Sequence, residues 1–241
     1  MKYIHCYFSM IPVTSIISDF SHLFFPHVCA GCGTDNISRQ APVCMQCINQ
    51  LPLTNFHAYT NNPVEKYFWG RIPVTGAYSL CHFTESSLIQ HLLHQLKYKG
   101  NKEVGWFLGR MMGHSLKETD RFSNIDMMIP LPLFASRQKK RGYNQAEILC
   151  NGIAEIVKLP VVNDAVIRLT ATETQTHKNR IERWANMEGK FELIKPAALA
   201  GKHILLVDDV ITTGATLEAC GQEILKAAGT KISIATLAYT V

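Results

Sequence analysis

The chain has 241 residues, of which 47% are hydrophobic and 18% are charged, and its formal net charge is +5. This length and composition suit one α/β domain with a minor second unit and argue against a disordered chain. No apolar run reaches the roughly 18 to 20 residues that span a bilayer, so we expect no integral membrane segment.

Residues 1–26 are predicted to be an N-terminal extension that ends in a short helix. Ser15 to Phe25 has the apolar spacing of an amphipathic helix, and Pro26 would end it. Packing of this helix on the main domain is more common than a position on a membrane surface, and both alternatives stay open. Met1 to Pro12 lacks the continuous apolar stretch and the cleavage site of a secretory signal.

Residues 27–52 carry two pairs of cysteines, Cys29 with Cys32 and Cys44 with Cys47. The CxxC spacing lets each pair bind one metal ion from a tight turn, and four thiolates suit tetrahedral Zn²⁺ in a closed structural site. A disulfide or redox function is the alternative, since CxxC pairs serve both. We predict a zinc-binding unit, because a segment this short has little core and gains folding free energy from the metal.

Residues 53–72 are predicted to be a linker, and residues 73–241 are predicted to form the main domain. Strands and helices alternate along this domain. We predict strands over 74–83, 125–131, 165–169, 204–207 and 231–238, and helices over 85–98, 103–118, 144–157 and 217–228. Such alternation indicates an α/β fold with a doubly wound, mostly parallel sheet.

Positive charge is concentrated in residues 97–141, which contain ten Lys or Arg and four Asp or Glu. We expect a positive face that attracts polyanions such as pyrophosphate or nucleic acid, although charged residues are also ordinary solvated surface. Arg137 and Arg141 lie in a predicted loop at the carboxyl end of the second strand. Arginines bind phosphates bidentately, so both are candidates for a pyrophosphate clamp, and Lys97 and Lys99 are further candidates.

Ile204 to Leu217 is the most informative segment of the chain. A buried parallel strand leads into Asp208 and Asp209, at the strand end where ligands of open α/β sheets bind. The hydroxyl-rich turn that follows precedes a helix, whose free amides and positive dipole end favour a phosphate. This turn consists of Thr212, Thr213, Gly214, Ala215 and Thr216. The carboxylates can accept hydrogen bonds from sugar hydroxyls, and the adjacent turn can bind a phosphate. Together they predict a ribose 5-phosphate ligand.

Other interpretations fit parts of this segment. Acidic residues at a strand end and threonines that cap a helix can have a purely structural role. Paired aspartates also occur in magnesium-dependent phosphoryl-transfer sites and receiver domains, although the Thr-Thr-Gly-Ala-Thr turn argues against both. The polar stretch 170–188, with Gln175, Arg180 and Arg183, is either a lid over the site or a solvated loop.

The strand and turn resemble the phosphoribosyl-pyrophosphate (PRPP) motif of type I phosphoribosyltransferases. Further motifs in a fixed order narrow the resemblance to the ComF family, the ComFC-type competence proteins. From about Leu23 onward they are the four cysteines, Leu96 to Gly100, Arg137, Arg141 to Ala146, Thr174 with Gln175, Arg183, Asn186 and the PRPP segment. One position differs from the family pattern: Lys178, three residues after Gln175, occupies a position that is usually leucine in the family.

The resemblance implies a cytoplasmic bacterial protein with a phosphoribosyltransferase fold, PRPP and Mg²⁺ binding, a structural zinc, and a part in DNA uptake during natural transformation. It implies that Asp208 and Asp209 hold the ribose and that the turn holds its 5′-phosphate. Arg137 and Arg141 then stabilise the departing pyrophosphate, with Lys97 as another PRPP ligand. Mg²⁺ is expected to come chiefly with the substrate.

Three classes of function stay open, because no segment identifies an acceptor for the ribosyl group. The first is a phosphoribosyltransferase, a pentosyl transferase with an unknown acceptor. The second is a competence accessory that binds single-stranded DNA and other competence proteins through the zinc unit and the positive region. The third is a PRPP-responsive regulator without turnover.

Overall fold

The structure is a computed structural model and describes residues 27–169 and 191–240. The predicted N-terminal extension and the polar stretch 170–188, which includes Gln175, Lys178, Arg180 and Arg183, lie outside the described residues. The α-helices are α1 (Met45–Asn49), α2 (Pro63–Lys66), α3 (Leu88–Tyr98), α4 (Lys102–Lys117), α5 (Ala135–Arg141), α6 (Gln145–Val157), α7 (Pro196–Leu199) and α8 (Ala215–Ile224). The strands are β1 (Gly76–Phe83), β2 (Met127–Pro130), β3 (Val166–Arg168), β4 (Phe191–Leu193), β5 (His203–Ile211) and β6 (Lys231–Thr240).

A four-stranded parallel sheet organises the domain, in the order β1, β6, β5, β2. The apolar run Ile204 to Val207 lies at the centre of this sheet, paired with β2 on one side and with β6 on the other. All four of its residues are fully buried, as a continuous apolar run predicts for a central parallel strand. The predicted α/β fold with a mostly parallel sheet is therefore confirmed.

The strand predicted over 165–169 is present as β3 but does not join this sheet. It pairs antiparallel with β4 in a separate two-stranded sheet. At the edge of the main sheet, Val161 instead forms a parallel bridge with Met128. Both β3 and β4 are three residues long, which is too short for a periodic pattern to indicate their partner.

Residues 53–72, predicted to be a linker, pack against β1. Val64 and Phe68 are fully buried. The side chain of buried Asn62 accepts from the first amides of α2 and donates to the carbonyl oxygen of Ala77 in β1 at 2.8 Å. This segment is buried like a core element, and its Asn-Pro sequence marks the start of a helix.

Helices α4 and α6 cross closely at two glycines. A Cβ atom on Gly109 would lie 2.3 Å from the carbonyl oxygen of Leu149, and one on Gly152 would lie 2.2 Å from that of Trp106. Only glycine permits this approach, because either methyl group would overlap the opposing backbone. The crossing fixes α6, whose N-cap residue Asn144 follows the positively charged helix α5.

Within residues 27–169 and 191–240, no helix combines the length and the apolar composition that a bilayer crossing requires.

Candidate functional site

Asp208 and Asp209 lie inside β5 rather than beyond its end. The sequence predicts a strand that stops at Val207, but pairing with β6 continues to Ile211. Asp209 is buried and Asp208 is half-buried. Because successive side chains of a strand point to opposite faces, the two carboxylates have different neighbours.

Asp209 forms an ion pair with Lys97. The Nζ atom of Lys97 lies 2.9 Å from Oδ2 of Asp209, and the two side chains are 22% and 7% exposed. Oδ2 accepts no hydrogen bond of good geometry within the described residues, so its contact with Lys97 is an ion pair without an aligned hydrogen bond. The hydroxyl of Tyr143 donates to the carbonyl oxygen of Leu96 and thereby holds the end of α3 that carries Lys97.

Asp208 has a different electrostatic environment. Removal from water raises the pKa of its carboxyl group, and the neighbouring charge of Asp209 raises it further. The amide of Asp209 donates to Oδ1 of Asp208 at 2.8 Å, and the positive charges of Lys97 and Arg168 also favour the ionised form, but these effects do not cancel the rise in pKa. Ionisation of Asp208 therefore costs free energy in the folded protein.

The predicted phosphate turn leads into α8 without a strong side-chain cap. Thr212 and Thr213 are exposed. Gly214 occupies the N-cap position with φ +73°, and helix α8 begins at Ala215, two residues earlier than predicted. The amide of Ala215 donates to Oγ1 of Thr213 over a long 3.4 Å. Thr216, half-buried in the first helical turn, completes a set of amides and hydroxyls suited to an anion.

Arg71 holds this turn from outside the motif. Its guanidinium donates to the carbonyl oxygen of Thr213 at 2.9 Å and to that of Tyr67 at 2.7 Å. It also forms an ion pair with Glu218 in the first turn of α8. No pattern in residues 53–72 distinguishes this arginine, so sequence reasoning did not find it.

Three predicted phosphate ligands meet in one cavity of about 500 Å³. The residues that line this cationic cavity are Lys97, Tyr98, Gly100, Arg137, Lys140, Arg141 and Tyr143. Lys99, the fourth predicted cation, is not among them. Since Lys97 also contacts Asp209, the cavity adjoins the paired carboxylates.

The segment that carries Arg137 and Arg141 is the helix α5 rather than a loop. None of its residues is buried, so it lacks the apolar stripe from which a helix is predicted. It ends at Gly142, with φ +80°. Arg141 then donates to the side chain of Gln145 and lies 5.5 Å from the ring centroid of Tyr98.

Only some of the cations in residues 97–141 face the same space in the folded protein. Arg121 turns inward and forms an ion pair with Glu65, and both side chains are largely shielded from water. Arg110 lies 3.5 Å from Glu155 on α6. The cations that face a common space are therefore chiefly those of the cationic cavity, not the whole stretch 97–141.

Arg168 lies close to the candidate site, and sequence reasoning did not single it out. It ends β3, and its guanidinium carbon lies 3.8 Å from the ring centroid of Phe134 and 5.2 Å from that of Phe191. Burial lowers the pKa of Arg168, the charge of Arg137 lowers it further, and Asp208 acts in the opposite direction. Arg168 therefore lies among the candidate ligand residues, although only the hairpin of β3 and β4 brings it there.

The four cysteines form one cluster, and their sulfur atoms lie within 4.8 Å of one another. Sγ of Cys32 is 3.7 Å from Sγ of Cys44. That separation is too long for a disulfide, whereas a ZnS₄ tetrahedron with bonds of about 2.3 Å has edges of about 3.8 Å. The described residues thus fit a tetrahedral metal ion. Of the other cysteines, Cys81, Cys150 and Cys220 are buried elsewhere, and Cys6 lies outside the described residues.

Backbone groups favour the thiolate form of Cys29, whereas burial raises the pKa of Cys47 in the absence of a metal ion. The amides of Gly31 and Cys44 donate to Sγ of Cys29 at 3.3 and 3.2 Å. Burial opposes ionisation of Cys29, but backbone hydrogen bonds from Cys44, Cys32 and Gly31 outweigh it and lower the pKa of this thiol to about 6. Gly31 leaves room for the cluster, because a Cβ atom there would lie 2.8 Å from Sγ of Cys47.

Comparison with known proteins identifies the fold. Residues 141–240 match the phosphoribosyl transferase domain. DNA utilization protein YhgH of Shigella flexneri is 28% identical over 203 residues, 83% of this chain and 85% of the relative. Competence protein F of Haemophilus influenzae is 28% identical over 200 residues, 81% and 83% of the two chains. Competence protein ComFC of Bacillus subtilis is 30% identical over 140 residues, 56% and 52%.

These similarities support a ComF-family phosphoribosyltransferase-like protein. Among solved structures, adenine phosphoribosyl transferase from Trypanosoma brucei aligns with 75% of this chain and 81% of its own at 14% identity and a TM-score of 0.38. In this chain the matched domain begins at Arg141 and includes β5 and the turn, whereas Lys97, Arg137 and the cysteine cluster precede it.

Proposed function

We propose that this ComF-family protein binds PRPP and has a phosphoribosyltransferase-like activity that serves DNA utilisation in competence. One observation carries the proposal. Lys97 both contacts Asp209 and lines the cationic cavity, so that carboxylates for a sugar and cations for a pyrophosphate adjoin within one site. The names of the relatives, which refer to DNA utilization and competence, support the cellular role.

Each part of PRPP has a matching group. The exposed turn at the N-terminus of α8 suits the 5′-phosphate, because its amides and hydroxyls present donors. Asp208 and Asp209 suit the ribose hydroxyls as acceptors. Arg137 and Arg141 in the cationic cavity suit the pyrophosphate, since guanidinium groups bind phosphate oxygens bidentately.

This arrangement favours transfer at C1′ by electrostatics and positioning. Departure of pyrophosphate builds positive charge on the sugar and negative charge on the leaving group. In the proposed complex the carboxylates of β5 would lie near the first charge and the arginines of α5 near the second. Mg²⁺, when bound with PRPP, would supply additional charge compensation at the pyrophosphate.

We also propose that the cysteine cluster holds a structural zinc ion. Four thiolates leave no open coordination position, which is typical of structural rather than catalytic zinc. Three of the four cysteines are buried, and the segment around them contains one helix of five residues. Metal binding would therefore supply much of the folding free energy of this unit.

Titration calorimetry with PRPP and Mg²⁺ tests the binding site. The double variant Asp208→Asn, Asp209→Asn is expected to lose PRPP binding while it keeps its far-ultraviolet circular dichroism spectrum. The matched control, Asp120→Asn with Asp164→Asn, removes two exposed carboxylates and should bind as the wild type does. Unchanged affinity in the first variant would refute the site.

A pyrophosphate-release screen tests turnover. The full chain is incubated with PRPP and Mg²⁺ and a panel of bases, nucleotides and single-stranded DNA. Release that depends on one acceptor and is lost in the double aspartate variant establishes a transferase. Binding without release for any acceptor favours a PRPP-responsive regulator.

Direct binding of single-stranded DNA is the second candidate function. Tyr98 is 68% exposed and its ring lies beside Arg141, an arrangement on which a base can stack. Such binding should weaken steeply with salt and survive in the double aspartate variant. Fluorescence anisotropy with labelled single-stranded DNA and a Tyr98→Ala variant measures it, and equal affinity of that variant would exclude stacking on this ring.

A further inference from the structure

We propose that Arg168 and Arg137, which both lie against the ring of Phe134, bind the pyrophosphate group of PRPP as a pair. The inference rests on the proposed function and extends it, because Arg168 belongs to the hairpin of β3 and β4 and does not line the cationic cavity. It places the pyrophosphate between that cavity and Asp208.

Phe134 brings the two guanidinium groups together. Its ring centroid lies 3.8 Å from Cζ of Arg168 and 5.9 Å from Cζ of Arg137, so the two cations are less than about 10 Å apart. Phe134 directly precedes α5 as its N-cap residue, and Phe191 of β4 lies 5.2 Å from Arg168. Stacking against rigid rings limits the motion of a guanidinium while it leaves the N–H groups at its edge able to donate.

Arg168 lacks a counter-ion in the part of the chain that the structure describes. No carboxylate there lies within ion-pair distance of Arg168 or Arg137, and Nε of Arg168 is buried without a hydrogen bond. Arg110 offers a comparison, because it also lies over a ring, that of Trp106 at 4.9 Å, and its Nε is likewise buried without a hydrogen bond, but Glu155 lies 3.5 Å away as its counter-ion. Arg137 is exposed and keeps its water, so the cost of an unpaired charge falls on half-buried Arg168, and an anion bound at this ring would offset it.

The neighbours of Arg168 identify which anion suits this pair. Arg168 is attracted by Asp208, one of the carboxylates proposed to hold the sugar, and is repelled by Arg137. A group that bridges the arginines and attaches to a sugar near Asp208 must be anionic, extended and rich in acceptor oxygens. Pyrophosphate at C1′ of a ribose meets these requirements. Bidentate hydrogen bonds from two arginines would also stabilise its charge as it departs.

Calorimetry on the full chain with Mg²⁺ tests the pair with three probes, namely PRPP, inorganic pyrophosphate and ribose 5-phosphate. Arg168→Gln is expected to weaken PRPP and pyrophosphate at least tenfold and ribose 5-phosphate less than twofold. Arg168→Lys should give an intermediate loss, because it keeps the charge but not the planar fork. Arg110→Gln, the matched control, should bind all three probes as the wild type does.

The outcomes separate this inference from the proposed function. If the protein binds pyrophosphate through Arg168 but does not bind PRPP, the arginine pair is supported and the proposed function is refuted. Normal PRPP binding in Arg168→Lys and Arg168→Gln would refute the pair alone. An equal loss of all three probes would assign Arg168 a purely structural role and likewise overturn the pair. Should Arg168→Gln not fold, the ratio of pyrophosphate to ribose 5-phosphate affinity in Arg168→Lys decides. A ratio below that of the wild type supports the pair, and an unchanged ratio refutes it.

Discussion

The ammonium of Lys97 lies 2.9 Å from Oδ2 of Asp209 and connects the end of α3 to the middle strands of the sheet. The contact has two consequences. It compensates a buried carboxylate, and it brings the cationic cavity next to the paired aspartates. Stability and ligand binding should therefore both depend on Lys97, but in ways that mutation can separate.

Lys97→Met should destabilise the protein by about 1–3 kcal/mol, because it leaves the buried carboxylate of Asp209 without its partner. PRPP affinity should fall at least tenfold. Urea denaturation and calorimetry measure the two effects. Adding Asp209→Asn should restore most of the stability, since it removes the unpaired charge, but not the affinity. A double variant less stable than Lys97→Met would contradict the ion pair.

The raised pKa of Asp208 predicts a pH-dependent stability difference. Below its unfolded-state pKa of about 4, the carboxyl group is neutral in both states. As pH rises through the elevated pKa of the folded state, the stabilising contribution of the retained proton is lost. Asp208→Asn cannot ionise, so its free energy of unfolding relative to wild type should increase from pH 4 to pH 8. A flat or falling difference across urea titrations in this range would show that the carboxyl group is not perturbed.

Cys32→Ser should remove the metal, because Cys32 supplies one of the four sulfur ligands. Elemental analysis of the purified wild type should give about one zinc per chain, and the variant less than half of that. The melting temperature should fall by several degrees, since metal binding stabilises this unit. Cys150→Ala, which alters a buried cysteine outside the cluster, should keep its zinc. A wild type with less than half a zinc per chain would end the metal hypothesis.

Arg71→Met should loosen the turn that is proposed to hold the 5′-phosphate. The variant loses the hydrogen bond to the carbonyl of Thr213 and the ion pair with Glu218. Ribose 5-phosphate affinity should drop about tenfold, or roughly 1.4 kcal/mol, whereas inorganic pyrophosphate affinity should change less than twofold. Lys226→Met removes an exposed ion pair with Glu223 beyond the other end of α8 and is the matched control. Equal losses for both ligands would indicate a general loss of structure.

Local patterns predicted much of the fold. The continuous apolar run at Ile204 indicated a central parallel strand, and the helical spacing after Glu103 and Asn144 placed α4 and α6 to within one residue. These predictions succeeded because each depends on the burial pattern of a single element. The prediction for α5 was wrong because that helix buries none of its residues.

The partner of β3 and the packing of residues 53–72 could not be predicted in the same way. Three residues carry no usable periodicity, and Asn-Asn-Pro occurs both in loops and at helix starts. The main sheet, rather than the segment itself, determined that Phe68 is fully buried. Short segments of this kind take their structure from what they pack against.

Spacing along the chain was sufficient to indicate the four-cysteine cluster, the parallel strand with Asp208 and Asp209, and the turn after it, since each lies within a few residues or follows a fixed motif. Which basic side chain lies near which acidic side chain could not be predicted from this spacing. Lys97 reaches Asp209, Arg168 approaches Asp208 and Arg71 holds the turn only because the order of strands brings distant segments to one edge of the sheet. Electrostatic pairing depends on distance in space, and folding sets that distance independently of separation in the chain.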